Sequence, residues 1–230
     1  MRAQRHFQEE LDRLKSLLVR MAGLAEEAVR LAVEALRERN SEMARRAIAL
    51  DQEIDALELE IDDHSIHLLA LQQPLAKDLR FITMAMKISN DLERVGDHSV
   101  NIAQEVGHLV EAPLFPGLPE IDEMARLASE MLKDALDSFV RADSELARQV
   151  VLRDDRVDEL DDNVFRILLT YMMEDPRKIG PGMDLLLVSR NLERIADLAT
   201  NVAEDVVYVV EGRMIKHHAE ERGSASAAAE

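Results

Sequence analysis

The sequence predicts an all-α protein that folds as two tandem three-helix bundles with six long helices. Only 3% of the residues are aromatic, and the 230 residues include just 8 Gly and 6 Pro, so signals for strands and tight turns are scarce. Between a few breaks, apolar residues recur at spacings of three and four, which is the helical period. One helix face is also present twice along the chain, which indicates an internal repeat.

The first three helices are separated by a capping signal and by prolines. The segment RERNSEMA ends one periodic run and offers Asn40 or Ser41 as the N-cap of the next helix. Pro74 ends the second helix and Pro113 ends the third, because a proline inside a helix removes a hydrogen bond and clashes with the preceding turn. We therefore expect the first three-helix repeat to span residues 1–112 and a linker to span residues 113–119.

The remaining helices follow the same plan. Asp143 or Ser144 can cap the fifth helix, and Pro176 and Pro181 separate that helix from the sixth. We expect the second three-helix repeat to span residues 120–212. The last residues, 213–230, end in the low-complexity segment GSASAAAE and are predicted to form a frayed tail.

The repeat is most evident in the third and sixth helices. The stretch NDLERVGDHSVNIAQEV at residues 90–106 corresponds to RNLERIADLATNVAEDV at residues 190–206. Seven residues are identical at the equivalent positions, and three of them are charged. The identical residues of the first stretch are Leu92, Glu93, Arg94, Asp97, Asn101, Ala103 and Val106, and those of the second are Leu192, Glu193, Arg194, Asp197, Asn201, Ala203 and Val206.

Four pairs of acidic residues share one spacing, an acid followed four residues later by Asp, which places both carboxylates on one helix face. In an antiparallel helix pair, residues equidistant from the turn lie at the same level. The pair in the second helix therefore lies level with the pair in the third, on either side of Pro74. The pairs in the fifth and sixth helices lie level in the same way, on either side of Pro176. The pairs are Asp51 and Asp55, Glu93 and Asp97, Asp154 and Asp158, and Glu193 and Asp197.

Two groups of four facing carboxylates predict metal sites, because carboxylates that are brought together must raise their pKa values, bind cations or turn towards water. Oxygen ligands favour iron, manganese or magnesium, with calcium and zinc as further possibilities. Asn101 and Asn201 lie one turn further along and are candidates for extra ligands or supporting contacts. The alternative is that Arg94 and Arg194 neutralise the two groups without a metal.

Composition excludes several classes of function. The net charge of −18 argues against nucleic-acid binding, which needs a basic surface. The chain has no cysteine, no secretory segment and no run long enough to insert into a membrane, so we expect a cytoplasmic protein. Glu105 and His108 form one Glu-x-x-His pair, but the second repeat has Asp205 and Tyr208, so a ferritin-type di-iron oxidase is disfavoured.

Three motifs resemble the PhoU family. They are LERVGD with its repeat LERIAD, the turn LALQQPLAKDLR, and LTYMMEDPRKI in the second repeat, and the resemblance runs from about Leu11 to Gly212. It implies two repeated three-helix bundles, a homodimer and no enzymatic activity. It also implies multinuclear metal clusters at the four acidic pairs. Ala196 departs from the family pattern, because the family usually has Gly at this position.

The resemblance further implies a negative regulator of phosphate uptake and of phosphate-starvation signalling. Such a regulator links the ATPase of a phosphate ABC transporter to a membrane sensor histidine kinase, and it would reach the inner face of the membrane through these partners. Two other functions stay open from the residues alone. One is a metal-dependent enzyme that uses the carboxylate groups, and the other is a metal-free helical scaffold.

Overall fold

The computed structural model describes residues 2–72, 74–112 and 117–212, and in these ranges the chain has helices and no strand, which confirms the all-α class. Most of the predicted linker and all of the predicted tail after Gly212 lie outside the described residues. A short 3₁₀ helix at Pro176–Lys178 precedes the last α-helix. The α-helices are α1 (Arg2–Glu38), α2 (Ser41–Gln72), α3 (Ala76–Glu111), α4 (Pro119–Arg141), α5 (Ser144–Val151), α6 (Asp154–Glu174) and α7 (Ile179–Glu211).

The corner between α1 and α2 is built as the sequence predicts. Asn40 accepts hydrogen bonds from the backbone N–H groups of Glu42 and Met43 through its Oδ1, so it is the N-cap of α2. Arg39, the preceding residue, adopts the left-handed region with φ 50°. Its guanidinium donates to the carbonyls of Leu109 and Ala112, which anchors this corner to the end of α3.

The corner between α4 and α5 is equivalent. Ala142 is left-handed with φ 53°, and the Asp143 side chain accepts from the N–H groups of Glu145 and Leu146, at 3.1 and 3.0 Å. Both corners thus consist of a left-handed residue followed by a side-chain cap. This shared geometry is structural support for the internal repeat.

The expectation of one continuous fifth helix is wrong. The chain leaves the helix at Leu152 and Arg153 and starts α6 at Asp154. Leu152 is 80% exposed, and Arg153 donates to the carbonyl of Gln149 and to Asp134 of α4. The acids at the start of α6 favour a new helix N-terminus here, because the helix dipole stabilises negative charge in the first turn. Both α5 and α6 still pack on α4 and α7, so together they take the place of the predicted helix.

The core runs through both repeats along the helical seams. Leu14, Leu18 and Met21 of α1 are inaccessible or nearly so, as are Ile54 and Ile61 of α2. The same cluster continues into the second repeat without interruption. Burial of this apolar surface is the main contribution that stabilises the fold.

The two repeats meet chiefly through α3 and α7, with an additional contact between α1 and α4. The two central helices are antiparallel: Lys87 contacts Asp205, whereas Asn101, further along α3, contacts Asn191, which is earlier in α7. The structure therefore brings the two repeated helices against each other. Within the described residues, no helix combines the length and apolar character needed to cross a bilayer.

Candidate metal centres

The first acidic cluster consists of Asp51 and Asp55 of α2 with Glu93 and Asp97 of α3. The structure confirms that the two pairs lie level, because a Cβ placed on Gly96 would be 3.0 Å from Asp51 Oδ1. Asp51 and Glu93 are half-buried, whereas Asp55 and Asp97 are exposed at the rim of the cluster.

Charge within the first cluster is poorly compensated. Burial raises the pKa of Asp51, and the nearby carboxylates of Asp55 and Asp97 raise it further. Burial also raises the pKa of Glu93, again with added repulsion from Asp97 and Asp55. Asp51 Oδ1 is buried and accepts no hydrogen bond from the described residues. A buried oxygen acceptor without a donor, surrounded by acids, is the environment in which a cation is stabilising.

Gly96 gives the Asp51 carboxylate its space. A methyl group at residue 96 would also be 3.2 Å from Ile54 Cδ1, a distance at which one neighbour has to shift. The glycine therefore lets α3 approach the acidic face of α2 closely. In the second repeat Ala196 takes the equivalent position and is fully buried, so a methyl group is accommodated at that position.

The second acidic cluster consists of Asp154 and Asp158 of α6 with Glu193 and Asp197 of α7. Burial raises the pKa of Asp154 to about 6, with repulsion from Asp197 and Asp158 as the next causes. Burial raises the pKa of Glu193 to about 7, and the nearby Asp197 contributes further. Thr200 donates to Asp154 at 3.3 Å and opposes part of the shift. This cluster also confirms the predicted antiparallel register.

Each cluster has a further acid that the sequence analysis missed. Glu58 of α2 and Asp161 of α6 lie three residues after Asp55 and Asp158, so they extend the acidic stripe by one turn. Burial raises the pKa of Glu58, and repulsion from Asp62 and Asp55 raises it further. The sequence indicates this extension, because the three acids of each stripe are spaced four and three residues apart, which places them on one helix face.

Asp161 is tied into the helix contact. It is 2% exposed, and it accepts from Ser189 Oγ at 2.7 Å and forms an ion pair with Arg190 at 2.6 Å. The first repeat has Asn90 at the position equivalent to Arg190. The second cluster is therefore neutralised on one side by a protein cation, while the first lacks this arginine.

Arg94 and Arg194 lie beside the clusters. Arg94 forms its ion pair with Asp91, one turn away on its own helix, at 3.8 Å. Neither arginine forms an ion pair with any of the eight predicted ligands in the part of the chain that the structure describes. Burial raises the pKa of Asp197, and both arginines oppose part of that rise, so they moderate the charge of the second cluster from a distance.

The two predicted asparagines, Asn101 and Asn201, lie at or beside the contact between the repeats. The amide of Asn101 donates to Asn191 at 3.2 Å, and this places it at the α3–α7 contact. His98, which the sequence analysis did not select, is 8% exposed and shares the same Asn191 oxygen at 2.9 Å. Asn201 lines an open groove over this contact, and the groove also includes Arg94, Asp97, Arg194 and Asp197. The two clusters thus border one groove.

Both clusters suit a metal ion by their donor chemistry. Each has four carboxylates at two adjacent levels of a helix pair, and burial, followed by mutual repulsion, raises the pKa values of several of them. Within the described residues neither acidic cluster brings three ligand atoms within 4.8 Å of one another, so the side chains would have to turn inward to share one ion. The first has in addition the unpartnered Asp51 oxygen beside Gly96. Oxygen-only donors favour hard or intermediate cations. Asp158 and Asp197 share the same electrostatic stress, since burial and neighbouring acids raise both pKa values.

Comparison with protein families gives one clear match. The model described as the PhoU domain matches residues 18–106 and 121–206, one range within each predicted repeat. A protein of Aquifex aeolicus named "Phosphate-specific transport system accessory protein PhoU homolog" is 44% identical over 216 residues, 94% of this chain and 98% of that protein. A protein of Zymomonas mobilis with the same name is 41% identical over 209 residues, 91% of this chain and 88% of that protein.

Two solved structures are similar over nearly the full length. PhoU from Pseudomonas aeruginosa superimposes with a TM-score of 0.87 at 38% identity, covering 90% of this chain and 100% of that chain. The phosphate transport system regulatory protein PhoU from Streptococcus pneumoniae superimposes with a TM-score of 0.84 at 30% identity, covering 91% and 99%.

Proposed function

The chain belongs to the PhoU family, and from this premise we propose that it is an accessory and regulatory protein of a phosphate transport system. In this proposal it represses phosphate uptake and phosphate-starvation signalling when phosphate is sufficient. It does so as an adaptor between the ATPase of a phosphate ABC transporter and a membrane sensor histidine kinase. It works in the cytoplasm as a homodimer, at the inner face of the membrane through its partners, and it catalyses no reaction.

The observation that carries the proposal is the placement of two acidic clusters beside one groove over the contact between the repeats. Arg94 and Arg194 are exposed there together with Asp97 and Asp197. A charged and exposed surface of this kind favours reversible, electrostatically steered association over the burial of a large apolar area. This is the behaviour that an adaptor requires.

We propose that both clusters bind metal ions. Asp51, Asp55, Glu93 and Asp97 would hold the first, and Asp154, Asp158, Glu193 and Asp197 the second. Iron, manganese and magnesium suit these donors best, with zinc as a further candidate. A bound cation would neutralise the carboxylates and fix the two helices of each cluster to each other. The chain itself supplies the level carboxylates, the space beside Gly96 and the nearby arginines, which set the net charge of the surface.

Elemental analysis tests the metal part of the proposal. Untagged protein should contain metal, and Glu93→Ala combined with Glu193→Ala should reduce the metal content strongly. The matched control is Glu130→Gln with Asp134→Asn, which removes two acids four residues apart on α4 that each pair with an arginine. Metal at background level in the parent protein, or equal loss in the control, would contradict metal binding at the clusters.

A reporter assay tests the regulatory part. In a host whose own gene for the family protein is deleted, a phosphate-starvation promoter should be active in rich phosphate, and expression of this chain should silence it. Co-purification of the transporter ATPase or the kinase with the chain would identify the partner. An unchanged promoter, with no partner retained, would refute the adaptor proposal. Turnover that is lost in Asp97→Ala or Asp197→Ala would instead support an enzyme.

A further inference from the structure

A second kind of donor cluster lies at one end of the contact between α3 and α7. Glu105 and His108 of α3 meet Asp184 of α7, and one ligand atom of each lies within 4.8 Å of the others. Glu105 is eight residues beyond Asp97, so the cluster is about 12 Å along α3 from the first acidic cluster. It mixes a ring nitrogen with two carboxylates, whereas the acidic clusters contain carboxylates alone.

The local geometry follows from the helices. Glu105 and His108 are three residues apart on one helix and therefore share a face. His108 Nδ1 lies 3.4 Å from Glu105 Oε2. That separation is close to the distance of about 3.4 Å between two ligands of a tetrahedral ion with bonds of about 2.0–2.1 Å. The antiparallel packing of α7 adds Asp184, which the sequence alone could not place beside this pair.

The opposite end of the same helix contact shows what is different here. There, Asp205 occupies the position equivalent to Glu105, and Lys87 Nζ approaches its two oxygens at 2.8 and 3.0 Å. The residue equivalent to Lys87 is Leu187, which carries no charge. At the Glu105 end the protein thus presents a second carboxylate and an imidazole in place of the lysine.

The electrostatics of this end agree with a missing positive charge. Burial raises the pKa of Glu105, and Asp184 raises it further, whereas His108 acts in the opposite direction. Glu105 and Asp184 are half-buried and His108 is exposed. The imidazole side of the cluster is therefore accessible from solvent, and the carboxylates of Glu105 and Asp184 repel each other.

We propose that Glu105, His108 and Asp184 bind a divalent transition-metal ion such as Zn²⁺. Imidazole with two carboxylates is a donor set that suits zinc and its neighbours better than calcium or magnesium, which prefer oxygen ligands. Three protein ligands leave a further position for water. Because the ligands come from α3 and α7, the ion joins the end of the first repeat to the start of the last helix. The site is independent of the two acidic clusters.

Zn²⁺ titration of the untagged full chain tests the site, with the His108 ring signal followed by NMR. The starting protein is Asp97→Asn with Asp197→Asn, which weakens the acidic clusters and leaves this site unchanged. Zn²⁺ should shift the His108 signal, and Asp184→Asn or Glu105→Gln should weaken the binding by about tenfold or more. His108→Tyr, which copies the second repeat at Tyr208, removes the reporting ring, so its Zn²⁺ binding is measured by titration calorimetry, where the heat of this site should be lost.

The matched control is His67→Ala. His67 is an exposed histidine whose Nδ1 lies 3.5 Å from the carboxylate of Asp63 on the same helix, and its removal should leave the affinity unchanged. A His108 signal that does not move in excess Zn²⁺ would overturn the proposal, as would an Asp184→Asn affinity equal to that of the starting protein. Since the acidic clusters are weakened in every sample, neither result depends on the proposed metals there.

Discussion

Replacing Arg190 with methionine should destabilise the protein by isolating a buried carboxylate. Asp161 is 2% exposed and has two partners among the described residues, the Ser189 hydroxyl at 2.7 Å and the Arg190 guanidinium at 2.6 Å. Methionine retains an aliphatic stem that can cover the same apolar surface. The substitution therefore removes mainly the positive charge, and Asp161 keeps only the hydroxyl hydrogen bond.

The size of the effect follows from burial on both sides of the pair. Hydrogen bonds to charged groups contribute about 1.5–3 kcal/mol, and breaking a fully buried ion pair costs about 3–5 kcal/mol. The Arg190 side chain is 49% exposed, so water already weakens its attraction to Asp161 and the lower range applies. We expect the free energy of unfolding to fall by about 2 kcal/mol, which corresponds to a Tm lower by about 4–8 °C in a chain of this size.

Urea denaturation followed by far-UV circular dichroism measures this loss. The control is Arg156→Met, because Arg156 forms two ion pairs, with Glu123 and Glu159, on the surface, where we expect little change. Adding Asp161→Asn to Arg190→Met should restore part of the stability, since it removes the isolated charge. The reasoning fails if Arg190→Met is no more destabilising than Arg156→Met.

The same substitution has a second readout. Arg190 is among the groups that lower the pKa of Glu193, which burial and nearby acids hold at about 7. Arg190→Met should therefore raise the Glu193 pKa further, as measured by NMR titration of the carboxyl carbon. A Glu193 pKa that is unchanged or lowered would show that the arginine does not act on this cluster.

Three other perturbations test the corners and the second cluster. Metal-free protein should lose stability as the pH rises from about 4 to about 7. The folded state holds protons on Asp154 and Glu193, with pKa values of about 6 and about 7, and the unfolded chain releases these protons at lower pH. Asp154→Asn with Glu193→Gln should flatten the dependence of the urea midpoint on pH, and an unchanged slope would contradict the raised pKa values. Ala142→Gly should raise the free energy of unfolding by about 1 kcal/mol, because φ 53° strains alanine but not glycine; a fall measured by urea denaturation would argue against strain at this corner. Asp143→Ala should cost about 1 kcal/mol by removing the cap of α5, and a Tm within error of the parent protein would show that the cap is dispensable.

The helices and their hairpin register were predictable because they depend on neighbours in the sequence. Apolar spacing, prolines and capping residues act over a few residues, so the cap at Asn40 and the turn at Pro74 appear where the sequence predicts them. Two helices joined by a short turn have their levels fixed by residue numbering. That is why Asp51 was predictable as level with Asp97, and the structure places its Oδ1 beside Gly96.

The break between α5 and α6 was not predictable from this local pattern. The seam residues Val150 and Val157 are seven residues apart, as in one uninterrupted helix, and neither Leu152 nor Arg153 is a helix breaker. The break is accompanied by a contact from another helix, since Arg153 reaches Asp134 of α4. An interaction of this kind is invisible to a pattern that considers one helix at a time.

What the sequence determined by itself is the set of helices, the repeat and the pairing of acids within each hairpin. What only the tertiary structure decided is how α3 and α7, which lie far apart in the chain, meet face to face. That contact places Asp184 beside Glu105 and His108, and it pairs Lys87 with Asp205. Its register depends on the packing of every buried side chain in both repeats at once, so no short motif encodes it.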